Sequence, residues 1–133
     1  MYFSLICYNS NMNISFIGMC GAGKSHIGSL SAQAFGMDFV VIDREMEKES
    51  GQGLQLILDT LGDEKFLQQQ EKQILDLADR DNLVVSPGGS VVYSKQAMHW
   101  LATNTIVVYL QVPHEIIANR ISASARGIVG LGS

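Results

Sequence analysis

A lysine and a hydroxyl set behind spaced glycines make a pattern suited to holding phosphate. Residues Gly18-Met19-Cys20-Gly21-Ala22-Gly23-Lys24-Ser25 satisfy G-x-x-x-x-G-K-[ST] at every fixed position. Glycines let the backbone curl so that successive N–H groups point at phosphate oxygens, and a following helix adds its positive end. Lys24 would reach the β and γ phosphates of ATP, and Ser25 would offer its hydroxyl to Mg²⁺. Nucleotide contacts are therefore expected from Gly18, Gly21, Ala22, Gly23, Lys24 and Ser25 and from His26 on the first turn, a residue that otherwise faces solvent or the strand ends and has no catalytic role. Phosphoryl transfer also needs a group that orients the acceptor hydroxyl. Asp43 closes the apolar run Phe39-Val40-Val41-Ile42, and the carboxyl ends of parallel strands line the ligand crevice in such sheets. It would accept a hydrogen bond from the hydroxyl and take its proton, although a helix cap before Arg44 is the ordinary alternative for an aspartate here. A second glycine loop, Pro87-Gly88-Gly89-Ser90, leaves Leu83-Val84-Val85-Ser86 at the same edge, where its backbone can approach a ligand closely.

The elements that must hold these residues alternate along the chain. Strands are expected at Ile14-Ser15-Phe16-Ile17, Phe39-Val40-Val41-Ile42, Leu83-Val84-Val85-Ser86 and Thr105-Ile106-Val107-Val108-Tyr109-Leu110. The helix after the phosphate loop is expected to turn Ile27, Leu30 and Ala34 inward and to stop at Gly36. Leu54, Ile57, Leu58 and Leu61 mark a second helix, and residues 63–79 a third with Phe66, Ile74, Leu77 and Ala78 inward, the two forming an insert over the crevice. Ser94 is the expected N-cap of a helix running to about residue 101, and Pro113 opens one carrying Ile116, Ile117 and Arg120. The small-residue-rich residues 122–133 read as a loop. This alternation predicts an α/β three-layer sandwich around a parallel sheet.

With 133 residues the chain makes one domain, expected at 13–133 after an extension at 1–12; Met12 is an alternative start. Nine basic against thirteen acidic residues give a net charge of −4, which provides no broad footprint for nucleic acid or an anionic membrane. No apolar run approaches a membrane span, and residues 1–11 lack the basic start of a signal peptide. Cys7 and Cys20 form no disulfide framework and fit a reducing cytoplasm.

Taken together, residues 13–126 resemble the shikimate kinases, P-loop kinases of aromatic amino acid biosynthesis that phosphorylate a hydroxyl of shikimate with MgATP. The phosphate loop is similar to that family's nucleotide loop, and Asp43 falls where its substrate-binding aspartate sits. Gly51-Gln52-Gly53-Leu54 resembles the turn opening its substrate-domain helices, expected here over about 44–80, and Gly88-Gly89-Ser90 is similar to its triple-glycine loop. Tyr109-Leu110-Gln111-Val112-Pro113 is similar to its fourth strand and exit. The resemblance also implies a lid over about 122–133 with Arg126 as its catalytic arginine, Arg120 near the adenine, and a fifth strand beyond Ser133. Three departures accompany it: Leu67 and Gln70 replace the arginine that grips shikimate's carboxylate and that arginine's glutamate partner, Val41 replaces an aspartate near the Mg²⁺ shell, and the sequence closes before the expected second substrate arginine and adenine loop. Two other classes stay open. A nucleotide kinase of related fold would need arginines in the insert, where only Arg44 and Arg80 lie between Asp43 and Gly88, and a non-catalytic nucleotide-binding remnant would fit a chain closing after the lid.

Overall fold

The computed structural model describes residues 12–18 and 23–111, with residues 113 and 115. Four strands, β1 (Ile14–Ile17), β2 (Asp38–Val41), β3 (Leu83–Ser86) and β4 (Ile106–Tyr109), form one parallel sheet in the order β2-β3-β1-β4. The register pairs Ile14 with both Val84 and Ile106, and Val40 with Val85. Asn13 fastens the start of the central strands: its Oδ1 accepts from Leu83 N at 2.9 Å and its Nδ2 donates to Arg80 O at 3.2 Å.

Because strand side chains alternate, the sheet separates two apolar layers. Ile14, Phe16 and Val84 pack with Ala32 and Met37 on the side of α1 (Lys24–Phe35). On the other side Ile17, Val40 and Val85 pack beneath the remaining helices. These are α2 (Ile42–Ser50), α3 (Leu54–Leu61), α4 (Asp63–Leu75) and α5 (Lys95–Asn104), which bring Met46, Ile57, Phe66, Ile74 and Leu101 into that layer. The result is the expected three-layer α/β fold. β4 pairs only with β1 among the described residues, and its Ile106 and Tyr109 are exposed. The expected fifth strand, the helix after Pro113 and the loop at 122–133 lie outside the described residues.

Several expectations need correction. The strand expected to end at Ile42 ends at Val41, and Ile42, fully buried, begins α2. An apolar run cannot distinguish the last residue of a buried strand from the first of a buried helix turn. α1 presents Lys24, Gly28 and Ala32 to the sheet, whereas Leu30 is 53% exposed, Ala34 is exposed and Ile27 is half-buried. A Cβ on Gly28 would lie 2.6 Å from the ring of Phe39, so the smallest residues allow the close approach of helix and sheet. α4 ends at Leu75, leaving Leu77 buried but Ala78 exposed on the following turn. The N-cap expectation holds, with Ser94 Oγ accepting from Ala97 N at 3.2 Å at the start of α5.

Candidate active site

All four strands point their carboxyl ends at one edge, and every described candidate residue except Ser90 and His26 directly follows a strand there or opens the helix leaving it. Ser90 lies one residue into the short 3₁₀ helix Gly89–Tyr93, and His26 on the first turn of α1 is exposed. Gly18 follows β1, and Gly23 caps α1 with φ 90°, a left-handed conformation that glycine adopts without a side-chain penalty. Lys24 and Ser25 then open the helix, whose first N–H groups have no partners within the helix itself. Lys24 is only 9% exposed, and its Nζ donates to Gly18 O at 2.9 Å. The ammonium thus reaches back to the residue that follows β1, next to a helix start whose dipole favours an anion. Gly21, Ala22, Arg120 and Arg126 lie outside the described residues.

On the β2–β3 side, Asp43 occupies the first turn of α2, where the cap position is Val41 with no side-chain cap bond. Its carboxylate therefore does not act as the N-cap; it sits inside the turn, with Glu45 further along, where the helix dipole favours negative charge. Gly88 brings the β3 exit against it. A Cβ placed on Gly88 would stand 2.8 Å from Asp43 Oδ1 and would collide with Gln70 Nε2. Within the Pro87–Ser90 stretch Pro87, Gly88 and Ser90 are buried, and Gly89 starts the 3₁₀ turn.

Gln70 enters the sequence reading only as a departure from the family pattern; its place at the site comes from the structure. It lies on the inward face of α4 between Phe66 and Ile74, is 1% exposed, and accepts from Ser90 Oγ at 3.2 Å through Oε1. The signal was a polar residue at helical spacing between two core residues. Leu67, one position after Phe66, is half-buried and offers no hydrogen-bond donor. Among the described residues no group of three His, Cys, Asp or Glu side chains could hold a metal ion, and Ser25 is half-buried beside the loop. A cavity of about 260 Å³ among α2, α3 and α4 is bordered by Met46, Ile57, Thr60 and Gln69, and none of the candidate residues lines it.

Comparison with known proteins matches residues 20–129 to the family described as shikimate kinase. A shikimate kinase of Pasteurella multocida is 41% identical over 103 residues, which cover 77% of this chain and 59% of that protein. The chain therefore spans well under two thirds of the length of that relative. Among solved structures, a shikimate kinase from Acinetobacter baumannii in complex with shikimate superposes with a TM-score of 0.81 at 29% identity, covering 84% of this chain and 63% of that one. The shikimate kinase of Aquifex aeolicus gives 0.76 at 28% identity, over 82% and 69% of the two chains. No helix among the described residues is long and apolar enough to cross a membrane.

Proposed function

This chain belongs to the shikimate kinase family, and from that membership we propose that it carries the nucleotide-binding and acceptor-positioning parts of an ATP-dependent kinase acting on a hydroxyl of shikimate or a closely related small metabolite. The observation that carries the reading is the presence, at one sheet edge, of a buried lysine bonded back to Gly18 O and an aspartate set beside a bare glycine turn. The relative from Acinetobacter baumannii was solved with shikimate, which makes shikimate the first acceptor to test.

The residues fit MgATP. Gly18, Gly23, Lys24 and Ser25 would hold its phosphates together with Gly21 and Ala22, His26 would border them, and Ser25 would bind the Mg²⁺. When bound, MgATP supplies the transferable γ-phosphoryl group, with the metal neutralising its charge. Lys24 then balances charge on that group, and Asp43 orients the acceptor hydroxyl and accepts its proton as the oxygen attacks. Gly88, Gly89 and Ser90 border the acceptor, and α2 to α4, over residues 42–75, cover it. Arg126 would act from the lid over 122–133 and Arg120 beside the adenine. A reaction between ATP and a small metabolite, with no nucleic acid or membrane partner, fits the cytoplasm.

Two variants test this. Lys24→Ala should abolish most of the stabilisation given by MgADP, which in the parent protein reaches about 2.7 kcal/mol at a hundredfold excess over Kd. Asp43→Asn should keep that stabilisation while lowering turnover with shikimate about 10²- to 10⁴-fold. Absence of any MgADP shift in the parent protein would refute the nucleotide site, and equal loss of nucleotide binding and turnover in Asp43→Asn would move Asp43 to the metal side.

A further inference from the structure

Gln70 presents a contradiction that the kinase reading leaves unused. Its side chain is 1% exposed, its Oε1 is tied to Ser90 Oγ, and its Nε2 has no hydrogen-bond partner among the described residues. A buried donor left without an acceptor is costly, so such a group either has a structural reason or awaits a partner. The amide nitrogen stands at the point a Gly88 side chain would occupy, and Asp43 Oδ1 flanks that same point. Reversing the carboxamide would let Nε2 donate to Ser90 Oγ but would turn the amide oxygen toward the point that Asp43 Oδ1 flanks, where an acceptor is disfavoured.

We propose that Gln70 is a positioning and specificity-determining residue of the acceptor site, selecting molecules that carry two neighbouring hydroxyls. One hydroxyl donates to Asp43, and the oxygen beside it accepts from Gln70 Nε2. The two protein groups have opposite hydrogen-bonding sense, acceptor and donor, and converge on one backbone position, which matches two adjacent oxygens of a polyol ring better than a lone hydroxyl. Gly88 lies across the amide, so its backbone must yield for the second oxygen to reach Nε2, and it carries no side chain that would add to that cost. Ser90 holds the carboxamide from its far end and keeps the donor directed at the site. A glutamate at position 70 would supply no donor when ionised and would set a second negative charge near Asp43.

This inference rests on the kinase reading, and the experiment separates the two. Binding of shikimate and of 4-deoxyshikimate, which lacks the hydroxyl next to the one phosphorylated, is measured by calorimetry with MgADP present, for the parent protein, Gln70→Met and Gln70→Glu. The MgADP thermal shift checks that each variant is folded. The parent should prefer shikimate about tenfold, and both variants should lose that preference because the donor is gone. In steady state the loss should fall on KM for shikimate and leave KM for 4-deoxyshikimate nearly unchanged. If the preference persists in a variant that still binds MgADP, Gln70 is a packing residue only and the inference is overturned while the kinase reading stands. If the parent binds MgADP but neither acceptor, the acceptor assignment fails and takes the inference with it.

Discussion

Gly88→Ala tests the packing of the acceptor side directly. Gly88 has φ −62° and ψ 158°, a conformation any L-residue accepts, so alanine brings no backbone strain and its cost is steric. The new methyl would collide with Gln70 Nε2 and stand 2.8 Å from Asp43 Oδ1. Gln70 is fully buried and anchored by Ser90, so it cannot swing into solvent to make room. Overpacking of a tight interior costs about 1–3 kcal/mol. Replacing a glycine recovers about 0.4–1 kcal/mol by restricting the unfolded chain. The net loss should be about 1–2 kcal/mol, a fall in Tm of about 3–8 °C for a domain of this size. Calorimetric unfolding measures it, and the MgADP stabilisation should survive because the new methyl meets Gln70 and Asp43, not Gly18 or Lys24. In a Gln70→Ala background the same change should cost at least about 0.5 kcal/mol less, since one of the two clashes is gone. An unchanged Tm, or equal costs in the two backgrounds, would show that Gly88 is not wedged between Asp43 and Gln70 and would remove the geometric basis of the acceptor site.

Two further outcomes probe how the elements are held. Gly28→Val should lower stability by about 2 kcal/mol or more in denaturant unfolding, because the Phe39 ring already stands 2.6 Å from where its Cβ would be, and Phe39→Leu in the same chain should return part of the loss. Ser94→Ala should cost about 0.5–2 kcal/mol through loss of the α5 cap, and somewhat more than an isolated cap because Ser94 Oγ also donates to Glu71 of α4; a change within error would show that water replaces both bonds.

The order of elements was legible because strand-length apolar runs alternate with helical spacing and because Gly36, Gly51 and Ser94 punctuate them. The inward face of α1 was not. Apolar periodicity selects Ile27, Leu30 and Ala34, but the helix lies so close to β2 and β3 that only Gly28 and Ala32 fit beneath it, and Leu30 is displaced to the surface. Size, set by the distance between the layers, overrode hydrophobicity there. The same limit applies to Ile42, whose burial satisfies a strand end and a helix start equally well.

The site divides along the same line. Gly23, Lys24 and Ser25 are neighbours in sequence, so the loop, its left-handed cap and the helix start form one local unit that a motif captures. The acceptor side has no such unit. Asp43, Gln70 and Gly88 come from α2, α4 and the β3 exit, and only the strand order, which sets β2 beside β3 and folds α4 against the 3₁₀ turn, brings them to one point. Gln70 could be noticed as a polar residue between Phe66 and Ile74, but its meaning depends on the missing side chain of Gly88, eighteen residues further along. A donor that is buried, oriented and unpartnered is informative only once the glycine covering it and the carboxylate beside it are known. The residues proposed to bind phosphate are thus written locally in this chain, whereas those proposed to choose the acceptor meet only in a three-way arrangement that folding creates.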